Sequence, residues 1–208
     1  MASYIYLIRH GITEGIQKKC FYGWRDLPVV DEGFEELGRY KAEGIYPEFD
    51  IEDAQFFTSG MIRTIQTLKF IYGDVDFTVN EKIKEINFGD WEMKTWKELE
   101  ETEQWHKWMT DTTGEFRFPN GDSMISFAER IKEGMNEVVG LHRMKELSHR
   151  HSGKDAVTVV VCHGGTISAT METWFPGVKE YLMNWTPETG RGYTVEFENS
   201  EPVRFTEI

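Results

Sequence analysis

The stretch from Val157 to Gly165 reads VTVVVCHGG, and the stretch from Ser3 to Gly11 reads SYIYLIRHG. Both are short runs rich in β-branched or aromatic residues, and both stop at a basic or polar residue followed by glycine. A continuous apolar run bounded by turn residues suits a strand buried on both faces of a parallel sheet. Ser3 to Arg9 and Val157 to Cys162 are read as such strands, with Gln55 to Thr58 a shorter one. In open α/β sheets, ligands bind beyond the carboxyl ends of the strands. His10 and His163 each stand at such an end, which predicts that they share one crevice. The glycines that follow them lack a Cβ, so backbone N–H groups there can approach an anion closely.

Helical patterns lie between these strands. Asp31 is placed to cap a helix carrying Phe34, Leu37 and Ile45, and Ser59 to cap one carrying Ile62, Ile65 and Leu68. From Ser123 to about Ser148, the residues Phe127, Ile131, Met135 and Val138 form the stripe of a long amphipathic helix. Tyr193 to Phe197 is the last strand candidate. Alternating strands and helices predict an α/β fold, a three-layer sandwich with a mostly parallel central sheet and helices on both faces. Residues 1–208 are read as a single domain, with 91–122 as a small aromatic-rich insertion over the site. That insertion holds Trp91, Trp96, Trp105, Trp108, Phe116 and Phe118, which suit a satellite core better than substrate contact.

Composition narrows the functional classes. With 39% hydrophobic and 14% aromatic residues, the chain is far from the composition of a disordered one. Its net charge of −13 argues against broad contact with nucleic acid or an anionic membrane, since both need a basic surface. An anionic substrate must then meet a local positive pocket, which screening beyond about 8 Å permits. Cys20 and Cys162 cannot build a disulfide framework, and no apolar run approaches the roughly 20 residues of a membrane span. The N-terminus lacks the features of a signal peptide, so the cytoplasm is the expected address.

Two further elements carry chemistry. In Thr58-Ser59-Gly60-Met61-Ile62-Arg63-Thr64 a strand turns into a helix, with an arginine in its first turn. Free N–H groups at a helix start and a guanidinium fork suit phosphate oxygens. The helix dipole disfavours a cation there, and this too points to a nearby anion. The second element is Glu85-Ile86-Asn87-Phe88-Gly89-Asp90-Trp91-Glu92, with an acid ahead of a turn. Metal chemistry has little support, because His106, His142, His149 and His151 show no ligand spacing, and His149-Arg150-His151 reads as a solvated helix end. Cys162 reads as a small core residue.

Taken in order, these elements resemble the histidine phosphatase family, also called phosphoglycerate mutase-like, along nearly the whole chain. The residues that carry the resemblance are Arg9-His10-Gly11, Tyr22-Gly23 with Leu27-Pro28, and Thr58-Ser59 with Arg63 and Gln66-Thr67. They continue with Glu85, Phe88-Gly89 and Trp91-Glu92, Pro119 with Gly121-Asp122-Ser123, and His163-Gly164-Gly165. The resemblance implies that His10 is the nucleophile, that Arg9, Arg63 and His163 bind the phosphoryl group, and that Glu85 is the general acid. Gly11, Thr13, Tyr22, Gly23 and Gly164 would line the substrate. Neither a metal nor a cofactor is implied. The partner would be a small phosphorylated metabolite met by a monomer or homodimer. The chain departs from the family pattern at Ile12 and at Ile16, where an Asn usually helps hold the phosphoryl group, and more mildly at Met93 and Asp122. Its compact stretch between acid and second histidine resembles the phosphatases more than the mutases, and Cys20 through Pro28 resemble α-ribazole phosphatase-like members. A phosphoglycerate mutase or a catalytically weak phosphate-binding module are the alternatives.

Overall fold

A computed structural model describes residues 2–208. Among them, six strands form one sheet: β1 (Ser3–Arg9), β2 (Gln55–Thr58), β3 (Thr78–Val79), β4 (Ala156–Cys162), β5 (Gly192–Glu198) and β6 (Glu201–Glu207). Their spatial order is β3-β2-β4-β1-β5-β6. The pairs β1/β4, β2/β4 and β2/β3 are parallel, whereas β5 runs antiparallel to both β1 and β6. The helices are α1 (Glu14–Gln17), α2 (Asp31–Ala42), α3 (Ile62–Tyr72), α4 (Trp96–Leu99), α5 (Glu103–Thr110), α6 (Met124–His149) and α7 (Gly164–Trp174).

Period-2 alternation of the central strands splits the core in two. Ile5 and Leu7 of β1, with Val160 and Cys162 of β4, join one cluster under α6 and α7. Tyr6 and Ile8, with Val157, Val159 and Val161, join the other under α2 and α3. Every residue of β4 is buried, which is why its sequence reads as one apolar run with no polar face. The mostly parallel α/β sandwich expected from the sequence is the observed fold.

Four local expectations are corrected. Val30, not Asp31, is the N-cap of α2, and Ile45 lies beyond the end of that helix. The cap of α3 is Met61, because Gly60 turns at φ +82° and delays the helix past Ser59. His149 is buried, donates through Nδ1 to the Asp155 carbonyl (3.0 Å) and meets Asp53 at 3.3 Å, so it is no solvated end. The last strand is followed by another, β6, whose alternating charges and Pro202 mark an edge strand and hide it from an apolar-run reading. Helix α6 starts where expected: the Ser123 hydroxyl accepts from Ser126 N, and Phe127, Ile131, Met135 and Val138 are its buried stripe.

The aromatics of residues 91–122 turn towards one another. Trp91 contacts Trp105, Trp108, Phe116 and Phe118, and Phe21 packs into the same group. Trp96 alone of the named set is exposed, at 46%. This satellite core fixes the chain just before Tyr22, and so ties the insertion to the site.

Candidate active site

The parallel register puts Arg9 opposite Cys162, and His10 N donates to the Cys162 carbonyl (3.0 Å). The two strand-end histidines are therefore neighbours, with ring centroids 5.3 Å apart. Both are buried, at 3% and 0% exposure. His10 Nδ1 lies 2.8 Å from the Gly11 carbonyl, which can only accept, so Nδ1 carries the proton and Nε2 keeps its lone pair. Burial first, then the positive charges of Arg63 and Arg9, hold the His10 imidazole well below its ordinary pKa. Desolvation is the larger cause and the two arginines the smaller.

His163 is the residue before α7, and its Nε2 lies 2.8 Å from Ser59 Oγ. Its pKa is lowered by burial and then by Arg63, His10 and Arg9. Arg9 donates through Nη1 to the Pro187 carbonyl (2.8 Å). Arg63, with 0% exposure, spans the carbonyls of Arg25 (3.1 Å) and Gly23 (2.6 Å) and stacks 5.1 Å from the Tyr22 ring. Its first-turn position is thus compensated by carbonyl dipoles as well as by any anion. The first N–H of α3, that of Ile62, is satisfied by Asp26 Oδ1 (2.8 Å) and is not open to a phosphate.

Among the described residues, the buried side-chain polar atoms without a protein partner are Arg9 Nε, Arg63 Nε, His163 Nδ1, Arg191 Nε and Tyr72 Oη. Three of these belong to this one site. Leaving a buried polar group unmet costs about 1–3 kcal/mol, and a cluster that contains two guanidinium donors is chemically suited to an anion.

Glu85 is half-buried. Its carboxylate accepts from Ile86 N (2.9 Å) and Gly165 N (2.8 Å), yet burial outweighs these bonds and the two arginines and raises its pKa. The glycines also make close contacts within the protein possible. A Cβ on Gly165 would lie 2.3 Å from Glu85 Oε1, and one on Gly164 would lie 3.3 Å from Arg9 Cζ. Gly11 sends its N–H to Thr67 Oγ1 (3.0 Å), not to an open pocket. Gly23 lets the loop touch Ile86, whose carbonyl a Cβ would meet at 1.7 Å. Each of these glycines makes room for a protein group.

Tyr22 stands edge-on to His10 (6.4 Å between centroids), and its Oη accepts from Thr13 Oγ1 (2.6 Å). The residues that motif reading left unassigned are those that hold the others. Thr67 braces Gly11, and Ser59 braces His163. Glu92 gathers the N–H groups of Gly23, Trp24, Arg25 and Phe88, at 2.9 to 3.1 Å, which fixes the Tyr22 loop against the Glu85 loop. Among the described residues, no group of three or more His, Cys, Asp or Glu side chains is placed to hold a metal ion. No helix among them is long and apolar enough to cross a membrane.

Residues 5–204 match the family model described as histidine phosphatase superfamily (branch 1). The chain belongs to that superfamily. Relatives include a 2,3-bisphosphoglycerate-dependent phosphoglycerate mutase of Parvibaculum lavamentivorans, 28% identical over 76% of this chain and 79% of that protein. A probable phosphoglycerate mutase of Proteus mirabilis is 28% identical over 66% of this chain, which spans only 63% of that relative. Among solved structures, the α-ribazole phosphatase from Shigella flexneri superposes with a TM-score of 0.76 at 20% identity, covering 96% of this chain and 93% of that one. A phosphoglycerate mutase from Thermus thermophilus gives 0.64 at 22% identity, with 97% of each chain covered. At such identities the structural likeness concerns the superfamily's fold alone.

Proposed function

We propose that this chain is a phosphomonoesterase that hydrolyses a small phosphorylated metabolite through a phosphohistidine at His10. The observation that carries this reading is the set of buried, partner-free polar atoms, the donors Arg9 Nε and Arg63 Nε with the ring nitrogen His163 Nδ1, around a neutral imidazole whose Nε2 lone pair is free. Phosphoryl transfer spreads charge over three equatorial oxygens, so it needs positioned positive groups more than covalent help. Arg9 and Arg63 supply them from the protein itself, and His163 adds a neutral ring nitrogen. His10 Nε2 attacks phosphorus, the bond from phosphorus to the leaving oxygen breaks, and the Glu85 carboxyl proton passes to that oxygen. The Glu85 carboxylate then takes a proton from water, the water oxygen attacks phosphorus, and the P–N electron pair returns to His10. Burial raises the Glu85 pKa, which suits a group that must begin protonated. Thr13 and Tyr22 would touch the substrate, while Gly11, Gly23 and Gly164 make room for the groups that do.

The test is phosphate release from a panel of metabolite esters, α-ribazole phosphate included, with and without EDTA. Turnover that survives EDTA and a labelled, acid-labile adduct on His10 are expected; label on Cys162 or on a serine would overturn the mechanism. A second reading, phosphoglycerate mutase, is favoured by the relatives at 28% identity. Interconversion of 2- and 3-phosphoglycerate faster than phosphate release would establish it instead. A phosphate-binding module, motivated by Ile12 and Ile16, predicts binding of phosphate with neither activity.

A further inference from the structure

The segment that carries Glu85 has little secondary structure of its own. After a single 3-10 turn at Glu81–Ile83, residues 84–88 belong to no helix or strand. Some of their backbone carbonyls find partners elsewhere, and one side chain from the second turn of α6 meets those of Lys84 and Glu85 together with that of Lys82 just before them. Arg130 Nη1 donates to the carbonyls of Lys82 (2.9 Å) and Lys84 (2.7 Å). Its Nη2 donates to the carbonyl of Glu85 itself (3.1 Å) and to Asp122 Oδ2 (2.8 Å). Asp122 completes the clamp from the far side: Oδ2 also accepts from Asn87 N (3.0 Å), and its own N–H reaches the Asn87 carbonyl (2.8 Å). Trp24, stacked 5.9 Å from the Arg130 guanidinium, gives its indole N–H to the same Glu85 carbonyl (3.0 Å).

We propose that Arg130, locked by Asp122, is the positioning residue of the acid: it fixes the backbone of Glu85 without touching its carboxyl. The distinction matters chemically. An arginine paired with the carboxyl would hold it ionised and spoil it as a proton donor. Arg130 instead neutralises itself on Asp122 and spends its remaining hydrogen bonds on main-chain oxygens. A planar fork can reach several carbonyls in fixed directions, and an ammonium cannot, so Lys is a poor substitute here. Displacing a proton donor by about 1 Å is enough to cost on the order of 10²-fold.

This inference rests on the hydrolytic reading, and its test separates the two. Formation of the phosphohistidine is followed in single turnover with 4-nitrophenyl phosphate, whose leaving group needs no proton, and with glycerol phosphate, whose alkoxide does. The proteins compared are the wild type, E85Q, R130K and the double variant. R130K should slow the glycerol ester by about 10- to 100-fold, leave the nitrophenyl ester within about threefold, and add little to E85Q, because both variants disable the same proton transfer. Equal slowing of both esters by R130K, or full additivity with E85Q, would overturn the assignment and make Arg130 a fold residue. If R130K does not fold, D122N loosens the same clamp from its other end and should give the same ester selectivity at smaller size; its absence there overturns the proposal equally. A wild-type protein inert towards both esters would sink the hydrolytic reading and this assignment with it.

Discussion

The two central strands carry a buried, histidine-containing polar cluster at each end, and the two clusters are finished differently. At the carboxyl ends, Arg9, Arg63 and His163, beside His10, leave three buried polar atoms without protein partners. At the amino ends, His142 Nε2 meets Ser3 Oγ (2.7 Å) and Nδ1 meets Thr158 Oγ1 (2.9 Å). Ser3 Oγ donates to Glu146 Oε1 (2.7 Å), Ser200 Oγ to Glu146 Oε2 (2.8 Å), and Thr158 Oγ1 to Gln55 Oε1 (3.2 Å). Histidines and hydroxyl groups occur at both ends, but the arginines only at the carboxyl ends. One network closes on itself and can only stabilise, whereas the other stays open and is available to a ligand.

The largest expected effect tests the open end. Replacing His10 by Ala should abolish turnover by at least about 10⁴-fold, as loss of a nucleophile does, while changing the thermal midpoint little, since its ring is tied only to the adjacent Gly11 carbonyl. A residual rate within about tenfold of wild type would break the contrast at its functional end. The mirror experiment is His142→Ala. It leaves Ser3 and Thr158 buried without their partner, so a loss of about 2–4 kcal/mol is expected, seen as a lower denaturant midpoint, with kcat in the folded protein within about threefold of wild type.

A pH titration sharpens the same contrast. Burial lowers the pKa of His142 to about 4. The unfolded chain has an ordinary histidine near 6.5, so between these values the unfolded state binds more protons and stability falls as pH falls. The His142 contribution is fully present above about pH 6.5 and is lost as pH drops through about 4. Two and a half units correspond to on the order of 3 kcal/mol. His10 and His163 are lowered too and add in the same direction, so the diagnostic is the difference between wild type and His142→Gln in chemical denaturation from pH 7.5 to 4. Identical slopes would remove His142 from the account.

These clusters also mark how far the sequence could be read. Strand ends are local, so Arg9, His10 and His163 stand out from runs such as VTVVVC, and a parallel sheet then brings them together without further information. The open-end supports are nonlocal: Thr67 acts on Gly11 from 56 positions away, Ser59 on His163 from 104, and Arg130 on Glu85 from 45. Ser59 was read as a helix cap because capping is the local use of a serine before a helical pattern, and the turn at Gly60 frees its hydroxyl for His163. At the closed end, Ser3, His142 and Glu146 carry no motif at all. Their pairing follows from α6 lying across the sheet, a tertiary fact that no spacing along the chain announces.

The smallest expected effect concerns Tyr22, which shares both characters. Its oxygen is engaged as in the closed network, accepting the hydroxyl of the fully buried Thr13, but among the described residues its own proton has no acceptor. Its ring fills the space left by Gly15, where a Cβ would come within 2.5 Å of Tyr22 Cδ1, and it lies between His10 and Arg63. The phenol is thus held beside His10 and Arg63. Tyr22→Phe removes the free proton and Thr13's acceptor while keeping the ring. A neutral hydrogen bond contributes about 1 kcal/mol, so the substitution should weaken substrate and vanadate binding by about five- to tenfold. If the bond is made equally to substrate and transition state, KM rises and kcat holds. A drop in kcat at constant KM would instead assign the phenol to the transition state. A fall in thermal stability with no change in binding would place Tyr22 wholly with the closed cluster's kind, a bond the protein makes for itself.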